Sequence, residues 1–187
     1  MLEKAADGVD TVRKIVYIVL AIAVVVILGF YGYKYFFSSN VINSNNIYFE
    51  LTVPGKYTLI ENTVADDDYE LAKYDSNKQI YLFGLVYGNT NDFVEGVRKD
   101  YDYYVESGEY NNVTELEEIE INGLKALRLT YDYKYTDNNN SKNYYTVMTF
   151  IDGEFGEYII YAESLLADKD KYKDDLIKIS NTFKELE

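Results

Sequence analysis

Residues 113–136 read VTELEEIEINGLKALRLTYDYKYT, and this stretch decides what kind of fold the chain forms. Asn122-Gly123 lies between two runs with the period-2 alternation of β-strands. Asn-Gly is the dipeptide that a two-residue type I′ hairpin favours, because both of its central residues take positive φ. Leu127, Leu129, Tyr131, Tyr133 and Tyr135 alternate with Arg128, Thr130, Asp132 and Lys134, so the second strand is expected to bury one face and wet the other. An antiparallel sheet is the expected core.

The same pattern continues toward the C-terminus. YYTVMTFI (144–151) and FGEYIIYAE (155–163) flank Asp152-Gly153 and predict a second hairpin, with DNNNSKN (137–143) as the turn before it. A closing helix is predicted from about Asp168 to Lys184, burying Tyr172, Leu176, Ile179 and Phe183 at spacings of four, three and four. Toward the N-terminus, NDFVEGVRKDYDYYVES (91–107) has helical period. Asp92 and Glu95 form a capping box there, and Gly108 is the stop. QIYLFGLVYG (79–88) is apolar on both alternating faces, which predicts a central strand covered on each side. IYFELTV (47–53) is a half-buried strand ended by Pro54-Gly55, KYTLIE (56–61) a short one, and the acidic loop ADDD (65–68) leads into YELAKYD (69–75). The order of elements is that of an α+β fold: an antiparallel sheet covered by helices, an αβα sandwich.

Ahead of this domain, IVYIVLAIAVVVILGFYGY (15–33) carries no charge. As a helix at ~1.5 Å per residue it reaches roughly 28 Å, close to the ~30 Å hydrocarbon core of a bilayer. A cleaved signal peptide needs an apolar region of about 7 to 15 residues and a small-x-small site, whereas the exit here reads GYKYFFSSN. Residues 1–14 are expected to be a cytoplasmic head ending in Arg13-Lys14, 15–37 a transmembrane signal-anchor helix, 38–46 a polar tether and 47–187 an extracytoplasmic domain. The positive-inside rule sets this direction, since only Lys34 flanks the far side. Tyr31, Tyr33, Tyr35, Phe36 and Phe37 suit an interfacial aromatic belt.

Charge and inventory narrow the function. The chain carries −14 in 187 residues. Lys4, Arg13, Lys14 and Lys34 against Glu3, Asp7 and Asp10 leave residues 1–37 at +1, so the rest holds −15. Nucleic acid is a poor partner for such a surface. With no Cys and no His, disulfides, a lipid-modified cysteine, thiolate or imidazole zinc sites and Ser-His-Asp triads are excluded.

Three segments resemble the PsbP-like family of photosystem extrinsic proteins and small secreted or membrane-anchored bacterial proteins: YFELTVPGKYTL (48–59), INGLKALRLTYDY (121–133) and LIKISNTFKEL (176–186). The resemblance covers most of residues 47–187 and implies a binding or assembly role. The metal-ligating histidine proposed in photosystem members has no counterpart here.

The residues themselves offer few sites. Asp66, Asp67 and Asp68 are candidate Ca²⁺ ligands, with Asp168 and Asp170 or the run Asp137 to Asn140 behind them; none has EF-hand spacing. The simpler reading of each is a solvated loop or a helix N-terminus, where acids interact favourably with the dipole. No other cofactor is expected. The 22 tyrosines serve as strand filler or as a sugar- or peptide-binding face. Asn112-Val113-Thr114 and Asn139-Asn140-Ser141 match the glycosylation sequon. The expected protein is a single-pass, N-in cell-membrane protein that displays a non-enzymatic module to a protein partner outside the cytoplasm. The alternative is a membrane-anchored hydrolase using a carboxylate pair.

Overall fold

The structure is a computed structural model that describes residues 2–37, 39–43, 49–57, 60–62, 72–75, 80–88, 92–137 and 140–186. The chain divides into two compact units, one of residues 1–39 with 54–56, the other of residues 40–53 and 57–187. The first contains helix α1 (Leu2–Phe37), so residues 2–14, expected as a separate head, continue the helix. Its segment Val16–Tyr33 is long and apolar enough to cross a membrane, and none of it is buried. At ~1.5 Å per residue, α1 extends about 54 Å, well beyond the apolar segment.

In the second unit the described strands form two sheets. The larger has eight strands: β3 (Ile60–Asn62), β4 (Ala72–Asp75), β5 (Ile80–Gly88), β6 (Tyr110–Asn111), β7 (Glu117–Ile121), β8 (Leu124–Asp137), β9 (Asn140–Asp152) and β10 (Glu157–Leu165). Their spatial order is β3-β4-β5-β10-β9-β8, with β7 and β6 pairing successive parts of β8. All of the pairings are antiparallel. The smaller sheet joins β1 (Ser39–Asn43), β2 (Phe49–Pro54) and β11 (Lys184–Glu185). Residues 39–43, expected as part of a polar tether, are thus a strand: pairing with β2 satisfies their backbone, which Ser and Asn composition alone does not foretell.

The two hairpins form where Asn122-Gly123 and Asp152-Gly153 placed them. Asn122 has φ 51° and Gly123 φ 87°, the positive pair of a type I′ turn. Asn122 Nδ2 also donates to Phe183 O at 2.7 Å, tying the turn to the chain just before β11. Strand β5 lies between β4 and β10, as its doubly apolar sequence requires.

Each face of the large sheet carries its own core. On one, helix α3 (Lys169–Ser180) and β2 bury Phe49, Leu51, Tyr172, Leu176 and Ile179 against Ile80, Val147, Ile160 and Ala162. On the other, helix α2 (Phe93–Glu106) lays Phe93 and Val97 on Leu127, Leu129, Met148, Phe150 and Ile159. This is the α+β, αβα arrangement expected from the pattern. Of the capping box only half forms: Asp92 Oδ1 accepts from Glu95 N at 3.1 Å, while the Glu95 carboxylate pairs with Lys99 at 2.9 Å, one turn on. Gly108, at φ 72°, follows the last turn. Helix α3 ends at Ser180, short of the expected Lys184, because Asn181 and Thr182 turn the chain into β11; Phe183 is buried from beyond the helix.

Strand β8 departs most from its expected pattern. Arg128 and Asp132, on the face read as wet, are buried at 6% and 5% exposure. Tertiary partners cover them. Arg128 Nε donates to Thr149 Oγ1 at 3.1 Å and an Nη to Asn181 Oδ1 at 2.5 Å, at the C-terminus of α3. Asp132 Oδ2 accepts from Asn112 Nδ2 at 2.6 Å, and Lys169 Nζ stands 3.7 Å from Oδ1.

Candidate functional site

The polar group least expected from the sequence is Glu163, near the end of β10. It shares strand parity with Ile159 and Tyr161, so it points to the α2 side of the sheet. Register sets its neighbours: Thr146 of β9 lies directly opposite on one flank and Tyr81 of β5 on the other. Tyr131 of β8 continues the row beyond Thr146. One step outward, Tyr144 and Tyr133 are paired across β9 and β8.

Glu163 is 6% exposed. Its Oε1 accepts from Thr146 Oγ1 at 2.8 Å and its Oε2 from Tyr133 OH at 3.1 Å. Both donors are neutral. Burial raises the carboxyl pKa to about 7, and the two hydrogen bonds offset only part of that rise. The site is a carboxyl poised between its two protonation states at neutral pH.

Tyrosine rings surround it in continuous contact. Tyr133 stacks on Tyr144 with centroids 5.4 Å apart, and Tyr144 meets Tyr81 edge-on at 5.6 Å. In the other direction Tyr133 touches Tyr131 at 6.0 Å, Tyr131 stacks on Tyr104 of α2 at 5.1 Å, and Tyr110 of β6 packs on both Tyr104 and Tyr131. Such offset and edge contacts suit the ring quadrupole. Burial raises the Tyr104 phenol to about 12, with its hydrogen bond to Tyr161 opposing. Burial likewise raises Tyr131, and it raises Tyr133 with the Glu163 charge adding to the effect. These phenols stay protonated at physiological pH, and Tyr133 donates to Glu163. Tyr81, Tyr133, Tyr144 and Tyr161 are each only half-buried, so the rings over Glu163 also form surface.

The described domain is similar to the solution structure of cyanobacterial PsbP (CyanoP) from Synechocystis sp. PCC 6803, at TM-score 0.53 and 12% identity over 79% of this chain and 92% of that one. The fold is PsbP-like. The PsbP-like domain is also similar to LpqN, involved in cell envelope biogenesis of Mycobacterium tuberculosis, at TM-score 0.51 and 12% identity over 80% of this chain and 91% of that one. No protein-family profile and no curated protein sequence matches the chain. At these identities the likeness concerns the fold.

Asp66, Asp67 and Asp68 lie outside the described residues. Asp168 occupies the N-cap position of α3 without a capping hydrogen bond, and Asp170 is in its first turn. Asp137 and Asn140 close the β8–β9 pairing. Among the described residues, no three carboxylates gather as metal ligands, and no second carboxylate hydrogen-bonds or ion-pairs with Glu163. The Asn112 sequon amide is engaged by Asp132. Glu163 did leave a trace in the sequence: in a strand apolar on both faces, an acid at the parity of Ile159 and Tyr161 has to be buried.

Proposed function

We propose that the chain is a membrane-anchored member of the PsbP-like family that works as a non-enzymatic binding module, with the tyrosine surface over Glu163 as its ligand face. The observation that carries this reading is the unbroken run of half-buried tyrosine rings across β5, β9 and β8 around one buried carboxyl. Tyrosine offers large, stiff contact area with a polar tip, which suits recognition better than packing alone. In this reading α1 crosses the cell membrane once with its N-terminus in the cytoplasm, and the domain faces outward. The apolar surface of Val16–Tyr33, none of it buried, supports the span, and Arg13-Lys14 supports the direction.

Two measurements test it. Protease added to intact cells is expected to digest the domain and spare a tag at residue 1; protection of the domain removes the topology. In the detergent-solubilised protein, the Tyr81, Tyr133 and Tyr144 ring resonances are expected to shift together in a screen of sugars, peptides and small ions. A screen in which no class of ligand moves them removes the ligand face.

A further inference from the structure

We propose that the tyrosine site takes an organic ammonium ion, with Glu163 as its counter-ion and the rings of Tyr133, Tyr144 and Tyr81 as its wall. This rests on the tyrosine surface being the ligand face.

Buried carboxylates in folded proteins are normally paired with a cation or neutralised. Among the described residues, no Lys or Arg lies within ion-pair distance of Glu163, and its hydrogen bonds come from one phenol and one hydroxyl. On the sheet, the groups facing it are Thr146 and Tyr144 from β9, Tyr131 and Tyr133 from β8, Tyr81 from β5 and Tyr161 from its own strand. Tyr104 of α2 and Tyr110 of β6 belong to the same ring cluster. Among the described residues, the titratable groups around Glu163 are tyrosines, which supply donors and π-faces and no positive charge.

That combination is selective. Aromatic faces attract ammonium groups, and attract them more strongly when water is excluded. A buried carboxylate adds the formal charge that rings alone lack. An anion is repelled by Glu163 and by a chain of net charge −14. A small inorganic cation prefers several oxygen ligands, and here one carboxyl stands among phenols. An alkylammonium ion uses both components. Its binding requires the ionised carboxylate, so it displaces the proton that burial favours. Affinity therefore rises with pH through about 7.

The test uses the full chain in a non-ionic detergent, titrated with tetramethylammonium and n-butylammonium against NaCl of equal ionic strength. Calorimetry and the tyrosine ring resonances are the readouts. Saturable binding is expected at pH 8, weaker by roughly 30-fold at pH 5.5 through proton competition. About half a proton should be released per ion bound at pH 7, where half of the carboxyls carry one, seen by repeating the calorimetry in buffers of different ionisation enthalpy. Glu163→Gln should abolish the binding, and Tyr144→Leu should weaken it while leaving its pH midpoint in place. The proposal is overturned if the ammonium ions act no differently from Na⁺, if binding releases no proton, or if a folded Glu163→Gln protein binds as well. Should that variant fail to fold, proton release by the unmutated protein decides. A neutral ligand that shifts the same rings regardless of Glu163→Gln overturns the ammonium assignment and leaves the tyrosine face standing; silence of the rings to every ligand overturns both.

Discussion

Glu163 and Thr146 face each other across the β10–β9 pairing, and the 2.8 Å hydrogen bond between Thr146 Oγ1 and Glu163 Oε1 is buried. A strand register normally places apolar groups together at such a depth. Here it places an acid beside a hydroxyl, with Tyr133 closing the second oxygen from two strands away. This arrangement makes the domain's stability depend on pH.

The folded-state pKa of Glu163, about 7, lies above its ordinary 4.5. The folded state therefore binds this proton more tightly than the unfolded state does. Its contribution is fully present below pH 4.5 and is lost as pH rises through 7, a change of about 3 kcal/mol. Glu163→Gln removes the titration. In urea unfolding of the detergent-solubilised protein, the variant should match the wild type near pH 4.5 and exceed it near pH 8. An unchanged pH slope would show that folding leaves the Glu163 pKa at its ordinary value.

At the first hairpin, Asn122 does two jobs that substitution can separate. Asn122→Gly keeps the positive φ and loses the 2.7 Å bond to Phe183 O, for an expected cost of about 1 kcal/mol. Asn122→Ala loses the bond and also strains the turn, for about 2 kcal/mol. Equal costs would mean that the backbone conformation at Asn122 contributes nothing.

Gly84 in β5 makes room for a ring of the small sheet. A Cβ built there overlaps Phe49 Cζ and comes within 3.2 Å of Ile160 Cδ1. Phe49 is fully buried between Tyr158 and Phe183 and has little room to retreat. Gly84→Ala is expected to lower stability by about 1–3 kcal/mol through overpacking. Phe49→Leu in the same chain should recover part of the loss, and thermal melts of the two single variants and the double variant measure that coupling.

The C-terminal strand, paired with β2, is also tied to the β9–β10 turn by one side chain. Glu185 of β11 accepts from Glu154 N at 2.7 Å, from Phe155 N at 2.8 Å and from Tyr158 OH at 2.8 Å, so its carboxylate holds the β9–β10 turn. Hydrogen bonds to a charged acceptor contribute about 1.5–3 kcal/mol each when buried, less when exposed as the two backbone donors are here. Glu185→Ala should cost about 2 kcal/mol in total and speed amide exchange at residues 154 and 155. Unchanged exchange there would show that the turn holds its shape without Glu185.

Much of the domain was legible because its signals are local. Asn122-Gly123 sets the φ values of its turn wherever it stands, and the alternation from Leu127 to Tyr133 selects a strand before any partner strand exists. The spacing of Phe93, Val97, Tyr101 and Tyr104 does the same for α2. Likewise, the uncharged run from Ile15 to Tyr33 is by its own composition long and apolar enough to cross a membrane. The misreadings have one origin. Arg128 and Asp132 look like surface residues by type, and only Asn181 and Thr149 for the one, and Lys169 and Asn112 for the other, turn their face of β8 into interior. Residues 39–43 look like a tether until β2 accepts them as a neighbour.

The sequence by itself determined the two hairpins, helices α2 and α3 and the apolar helix, since periodicity, turn chemistry and hydropathy act within a few residues of one another. The tertiary structure decided which polar groups went inside. Glu163 meets Tyr133 across 30 residues and Tyr81 across 82, through a register that no single strand encodes. The burial that gives this carboxyl its raised pKa exists only once β5, β8, β9 and β10 lie side by side.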